Sequence, residues 1–201
     1  MSSSARWIVL ILFMIATGYL HYKVKTIPDP AWTNQMQSQI RSVQGNSPLI
    51  GTHFRPFALT DVLTDSPFSS DSLRGKIVLL DFMTSWCGPC RMEMPALRQF
   101  ASARPDVIVV GIDVLESTEK AEEFGRDMKI NFPLLADNDG KASTDYDVHA
   151  YPTSVIIDES GVIRAVHAGA CLDFEKLVDD ALTNSLNPDT AAQEIYNREN
   201  N

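Results

Sequence analysis

The feature that most constrains this chain is a change of period at residue 87. Ile77-Val-Leu-Leu-Asp-Phe82 is a nearly continuous apolar run, the pattern of a strand buried on both faces. Shortly after it comes Trp86-Cys-Gly-Pro-Cys90, and beyond Pro89 the residues Met92, Pro95-Ala96-Leu97 and Phe100 recur at helical spacing as far as Ala103. Cys87 thus falls where a buried strand ends and a helix begins. Pro89 suits the first helical turn, where the missing N–H costs nothing. A helix start supplies unpaired N–H groups and the positive end of a dipole, and both favour a thiolate on Cys87. Cys90 lies on the same helical face and further inward, able to close a disulfide with Cys87. A CxxC can also be half of a zinc site. That would need a second close pair of ligands, which neither Cys171 nor the scattered His21, His53, His149 and His167 supplies. The expectation is redox chemistry with no metal, and no cofactor beyond the redox-active disulfide Cys87–Cys90.

The rest of the packed region, about 51–183, reads as alternating elements. Phe54, Phe57 and Leu59 suggest a short extended opening piece, and Leu73-Arg-Gly-Lys76 a turn into the first long strand. Val107-Ile-Val-Val-Gly-Ile112 is a second buried strand, Glu116–Lys129 a charged surface helix, and Phe132-Pro-Leu-Leu135 a brief extended piece. Ser154–Asp158 and Val162–His167 flank a Gly-bearing turn and predict a hairpin. Asp173–Leu182 closes the region as an amphipathic helix. The order β-α-β-α and then β-β-α implies an α/β three-layer sandwich, a mixed sheet with helices on both faces.

The two ends read differently. From Trp7 to Tyr22 no side chain is charged if His21 is neutral. Such a helix reaches about 24 Å, short of the roughly 30 Å hydrocarbon core. Trp7, Tyr19 and Tyr22 as interfacial anchors, with Lys23 and Lys25 snorkelling, extend it to a single-pass anchor over 1–25. The competing reading is a cleaved signal sequence ending near Ala16-Thr17-Gly18. Flanking charges do not orient the segment. Residues 26–50 read as a proline- and amide-rich tether, with a helical turn or two around Trp32–Val43, and 184–201 as a polar tail. The formal charge is −9 over 201 residues, and residues 1–25 contribute +3 from Arg6, Lys23 and Lys25. The remainder holds 14 basic and 26 acidic side chains, a net of −12. A surface so acidic repels phosphate backbones, so nucleic acid is excluded as a partner.

FMTSWCGPCRMEMPAL, followed downstream by YPTSVIIDESGVI, resembles the thioredoxin superfamily, and more narrowly its TlpA/ResA-type membrane-anchored thiol–disulfide oxidoreductases. The resemblance covers about 51–183. It implies a thioredoxin fold and a cis Tyr151–Pro152 bond facing the dithiol. It also implies a substrate-binding surface formed by Trp86, Gly88, Pro89, Tyr151, Pro152 and Thr153. Asp81 matches the buried acid of thioredoxins, and Glu93 the acid that ResA-type proteins place near their dithiol. Burial would raise either pKa and suit it to carry a proton for Cys90. Carrying both departs from the narrower family. The bland readings are a structural polar group at Asp81 and a solvated helix acid at Glu93. Cys171 reads as a small buried hydrophobe, and His149 and His167 as ordinary polar or packing residues.

The resemblance implies an extracytoplasmic monomer acting on protein disulfides, for example in cytochrome c maturation, and recharged by an upstream membrane thiol reductant. Gly88-Pro89 is the pair found in reducing thioredoxins, which points to a reductase. Two rivals exist. Thr84-Ser-Trp-Cys87 reproduces the TxxC of a peroxiredoxin, but Leu80 replaces the usual proline and Cys90 is too near to be a distant resolving cysteine. A Sco-type copper-delivery protein needs CxxxC and a histidine such as His149.

Overall fold

A computed structural model of the chain describes residues 47–185. The anchor or signal reading of 1–25, the helical turns around Trp32–Val43 and most of the tether and tail lie outside the described residues. In chain order the elements are β1 (Ala58–Asp61), β2 (Ser66–Ser69), a 3-10 turn (Ser70–Leu73), β3 (Ile77–Met83), α1 (Gly88–Ala103), β4 (Val107–Val114) and α2 (Thr118–Asp127). There follow β5 (Leu134–Asp137), α3 (Lys141–Asp145), β6 (Thr153–Ile157), β7 (Ile163–Ala168) and α4 (Phe174–Ser185).

The strands of the described residues form one mixed sheet in the order β2-β1-β5-β4-β3-β6-β7. β3, β4 and β5 are parallel neighbours, while β6, β7, β1 and β2 join antiparallel. The crossovers β3-α1-β4 and β4-α2-β5 step in one direction, so the handedness rule puts both helices on one face. The buried residues agree. Met94, Leu97 and Phe100 of α1, Phe124 of α2, and Phe174 and Val178 of α4 pack with Leu79, Met83, Val109, Leu134 and Ile156. The opposite face buries Leu80, Phe82, Val110, Ile112, Val155 and Ile163 under Leu49, Leu73 and Tyr146, the residue that ends α3. The three-layer expectation thus holds, with one helical layer much the thicker.

Four elements differ from their sequence reading. The opening extended piece is a hairpin, β1 with β2, and β1 also joins β5. Phe57 and Phe68 stack across its root at 6.5 Å. α2 starts only at Thr118, because Leu115 turns through φ 57° and the Ser117 hydroxyl caps the helix by accepting from the Lys120 N–H. The extended piece read at 132–135 is β5, two residues further on. α3 carries no apolar period; Asp137 organises its start, as described below.

Candidate active site

Parallel strands β3, β4 and β5 deliver their carboxyl ends to one rim, the usual position for a site in an α/β sheet. Cys87 sits on that rim as the N-cap of α1, extended at φ −75° and ψ 109°. Its Sγ accepts the Cys90 N–H at 3.1 Å, and its own N–H donates to the Thr84 carbonyl at 3.2 Å. Cys87 and Cys90 are joined by a disulfide, and Cys171 is a free buried cysteine. Gly88 and Pro89 form the exposed first turn of α1.

Trp86 is 71% exposed and meets the Tyr151 ring edge-on at 6.1 Å. That contact brings the loop before β6 beside the CGPC turn. The Tyr151–Pro152 bond is cis. The Pro152 carbonyl accepts the Gly169 N–H at 2.8 Å, and Thr153 opens β6 opposite Phe82 with its hydroxyl donating to the Ala150 carbonyl. The six residues expected to meet substrate come together at one rim, where Trp86, Gly88 and Pro89 are exposed and Pro152 and Thr153 are buried. Met92 and Leu172 are also large apolar side chains exposed to solvent.

Both flanking acids are fully buried, at 0% exposure. Asp81 lies in β3 between Gly111 and Ser154. Alternation with Leu80 and Phe82 turns it toward α1. The Ser154 hydroxyl donates to its Oδ1 at 2.9 Å, and Oδ2 has no partner. Glu93, one turn beyond Cys90 on α1, accepts the Cys171 N–H on Oε2 at 2.8 Å, and its Oε1 has no partner. Burial holds the Asp81 carboxyl well above the carboxylate range, against the pull of the Ser154 hydroxyl. Burial does the same at Glu93, reinforced by the charge of Asp81 and opposed by the Cys171 N–H. A solvated helix acid is thus not what Glu93 is.

Sequence reasoning did not find every polar residue here. Ser154 and the Cys171 N–H are brought in by strand pairing and a loop, which no local pattern reveals. Asp113 carries the same signal as Asp81, an acid in an apolar strand, and is 1% exposed. Burial, then the nearby Glu116 carboxylate, pushes its carboxyl up to about 8. His149 stands at the surface against Asp147 at 2.8 Å.

The arrangement offers two sulfurs at a helix start, proton carriers beneath them and an apolar rim outside. Against known proteins, the chain matches the AhpC/TSA family over residues 50–166. It is 39% identical over 111 residues to the thioredoxin-like protein YneN of Bacillus subtilis, covering 53% of this chain and 65% of that one. It is 30% identical over 122 residues to the thiol-disulfide oxidoreductase ResA of Geobacillus kaustophilus, covering 60% and 70%. Among solved structures it resembles a secreted Mycobacterium tuberculosis disulfide oxidoreductase homologous to E. coli DsbE. There the TM-score is 0.56 and the identity 32%, with 63% of this chain and 95% of that one covered. The match spans just under two thirds of YneN.

Proposed function

Because the chain belongs to the AhpC/TSA family, we propose that it is a thiol–disulfide oxidoreductase that reduces protein disulfides through Cys87 and Cys90. The observation that carries this is the Cys87–Cys90 bridge at the start of α1, above two buried carboxyls. In the reduced protein the Cys87 thiolate attacks a substrate disulfide. One substrate sulfur joins Cys87 and the other leaves as a thiolate that takes up a proton. Cys90 then gives its proton to the Asp81–Glu93 pair and attacks Cys87 Sγ, releasing the second substrate thiol. Two electrons pass to the substrate, and the protein is left with the bridge seen here.

Trp86, Gly88, Pro89, Tyr151, Pro152 and Thr153 hold the substrate chain in this reading. The secreted mycobacterial relative supports an extracytoplasmic domain; in this reading the apolar segment Trp7–Tyr22 tethers it and it acts as a monomer. An upstream membrane thiol reductant recharges it, and apocytochromes c are one substrate class. The thiol peroxidase reading is weakened by the joining of Cys87 to a cysteine only three residues away. The copper-delivery reading is weakened by the position of His149 at the surface with Asp147.

The test is Cys90→Ser, which removes resolution and leaves attack intact. Affinity capture of this variant from cells should yield proteins disulfide-linked to Cys87, absent from the Cys87→Ser control. Capture of none would defeat the protein-substrate reading.

A further inference from the structure

The turn that precedes Cys87 is gripped from outside its own element. The Ser85 N–H donates to Glu116 Oε2, and its hydroxyl donates to Oε1 at 2.7 Å. Its carbonyl accepts from Arg91 Nε at 2.9 Å, and the Arg91 guanidinium lies over the Phe124 ring at 5.1 Å. Every polar group of Ser85 is thus committed, two of them to a single carboxylate 31 residues away. That carboxylate is brought back by Leu115, an exposed residue in the left-handed region at φ 57°. This conformation is costly for a residue with a branched side chain and persists only when its surroundings impose it. Ser85, Trp86 and Glu116 together line a groove of about 290 Å³ beside the dithiol.

Beneath this grip lies Asp113. Strand alternation sets it on the α1 face with Val109, and it pairs in register with Met83 on one side and Ala136 on the other. An ionised carboxylate out of water and next to a second carboxylate is costly, so burial, then the charge of Glu116 and a hydrogen bond with it, hold the group as the neutral acid below about 8. Glu116 faces it from the turn after β4. Tyr151 from the loop before β6 senses both Asp113 and Asp137 of β5. Asp81 lies on the same face of β3, two residues before Met83, and the groove is bordered by Arg91 of α1 and by Lys120 and Glu123 of α2, with Asp127 at the end of that helix.

We infer that Glu116 and Asp113 are positioning residues for Cys87, Glu116 clamping the Ser85–Trp86 turn and neutral Asp113 keeping that clamp closed. Ionisation of Asp113 places a second negative charge under Glu116 and loosens its hold. The orientation of Cys87 and Trp86 then degrades in the alkaline range, where the carboxyl finally loses its proton. The inference rests on the functional reading above only in taking Cys87 as the reactive thiol.

The experiment uses the full-length reduced protein. Iodoacetamide alkylation is followed from pH 5 to 9 by mass spectrometry on the peptide 77–91, whose fragment ions distinguish Cys87 from Cys90, while Cys171 falls on another peptide. Rates are expressed per Cys87 thiolate, taken as the ultraviolet thiolate absorbance that Cys87→Ser removes. The wild-type rate per thiolate should fall as pH rises through about 8. Asp113→Asn, which keeps the shape but cannot ionise, should match the wild type at low pH and lack that fall. Glu116→Gln should lower the rate about 10-fold at low pH and show no further fall as pH rises, and Ser85→Ala, which keeps the N–H bond, should lower it by less. Superimposable wild-type and Asp113→Asn profiles would overturn the inference, whatever Glu116→Gln does. Alkylation needs no protein substrate, so this result is independent of the trapping experiment.

Discussion

Asp81 and Glu93 lie in one apolar pocket and accept hydrogen bonds from a serine hydroxyl and a backbone amide, neither of them cationic. Two such carboxyls cannot both ionise cheaply, so they titrate as a pair, with at least one proton retained near neutrality. A pair that keeps one proton leaves its other carboxylate free to accept the proton of Cys90, and burying that charge has a cost in stability. Both folded pKa values are raised, so the folded chain holds protons that the unfolded chain releases. The contribution of this pair to stability is fully present below the unfolded carboxylate range and is lost as pH rises through the raised values. Asp81→Asn and Glu93→Gln, which cannot ionise, should therefore raise the urea midpoint at pH 8 and leave it nearly unchanged at pH 4. An equal gain at both pH values would mean that the benefit is packing and that the acids bear no buried charge. These two acids, like Cys87 and Cys90, are legible in the sequence because each sits at a fixed offset within a recognisable strand or helix. Ser154 and the Cys171 amide are illegible because their importance arises only when distant segments pair.

At the scale of elements, the long buried strands and α1 were legible because burial imposes a period on the sequence, while α3 was not. Its five residues, Lys-Ala-Ser-Thr-Asp, carry no stripe, and Gly140 before it, at φ 69°, offers no side-chain cap. The cap comes from the strand before it: Asp137 Oδ1 accepts the Ala142 N–H at 3.0 Å and Oδ2 the Ser143 N–H at 2.8 Å. α3 in turn delivers Tyr146, whose hydroxyl donates to the Arg55 carbonyl and accepts the Arg55 N–H. Asp137→Ala should cost about 1–2 kcal/mol in urea unfolding, the usual range for a lost cap. Hydrogen exchange should show lost protection at Ala142, Ser143 and Tyr146, with Leu79 unaffected. Uniform loss across the sheet would show instead that α3 is not a separate local unit.

For the whole described region, the mixed sheet and its helical face follow from the order of periods in the sequence, but the closure of the opposite face does not. That face is crossed by the segment before β1. Gly51 and Thr52 exchange hydrogen bonds with Ile163, and Phe54 donates to the Gly161 carbonyl, so the segment joins the β7 edge. A few residues later β1 joins β5 across the sheet. Between these points Phe54 and Phe57 cover the second core, with Leu49 buried at its margin. Removing residues 1–57 should uncover this core, seen as strong binding of a hydrophobic dye. Removing only residues 1–46 should not. The same crossing has a consequence for the order of events at the ribosome. The first packed segment waits for β7, more than a hundred residues downstream, and long-range pairings of this kind form late. Cys87 and Cys90 emerge well before the β6–β7 hairpin that completes their surroundings. During synthesis the thiols are therefore chemically available before the walls that will select their substrates exist.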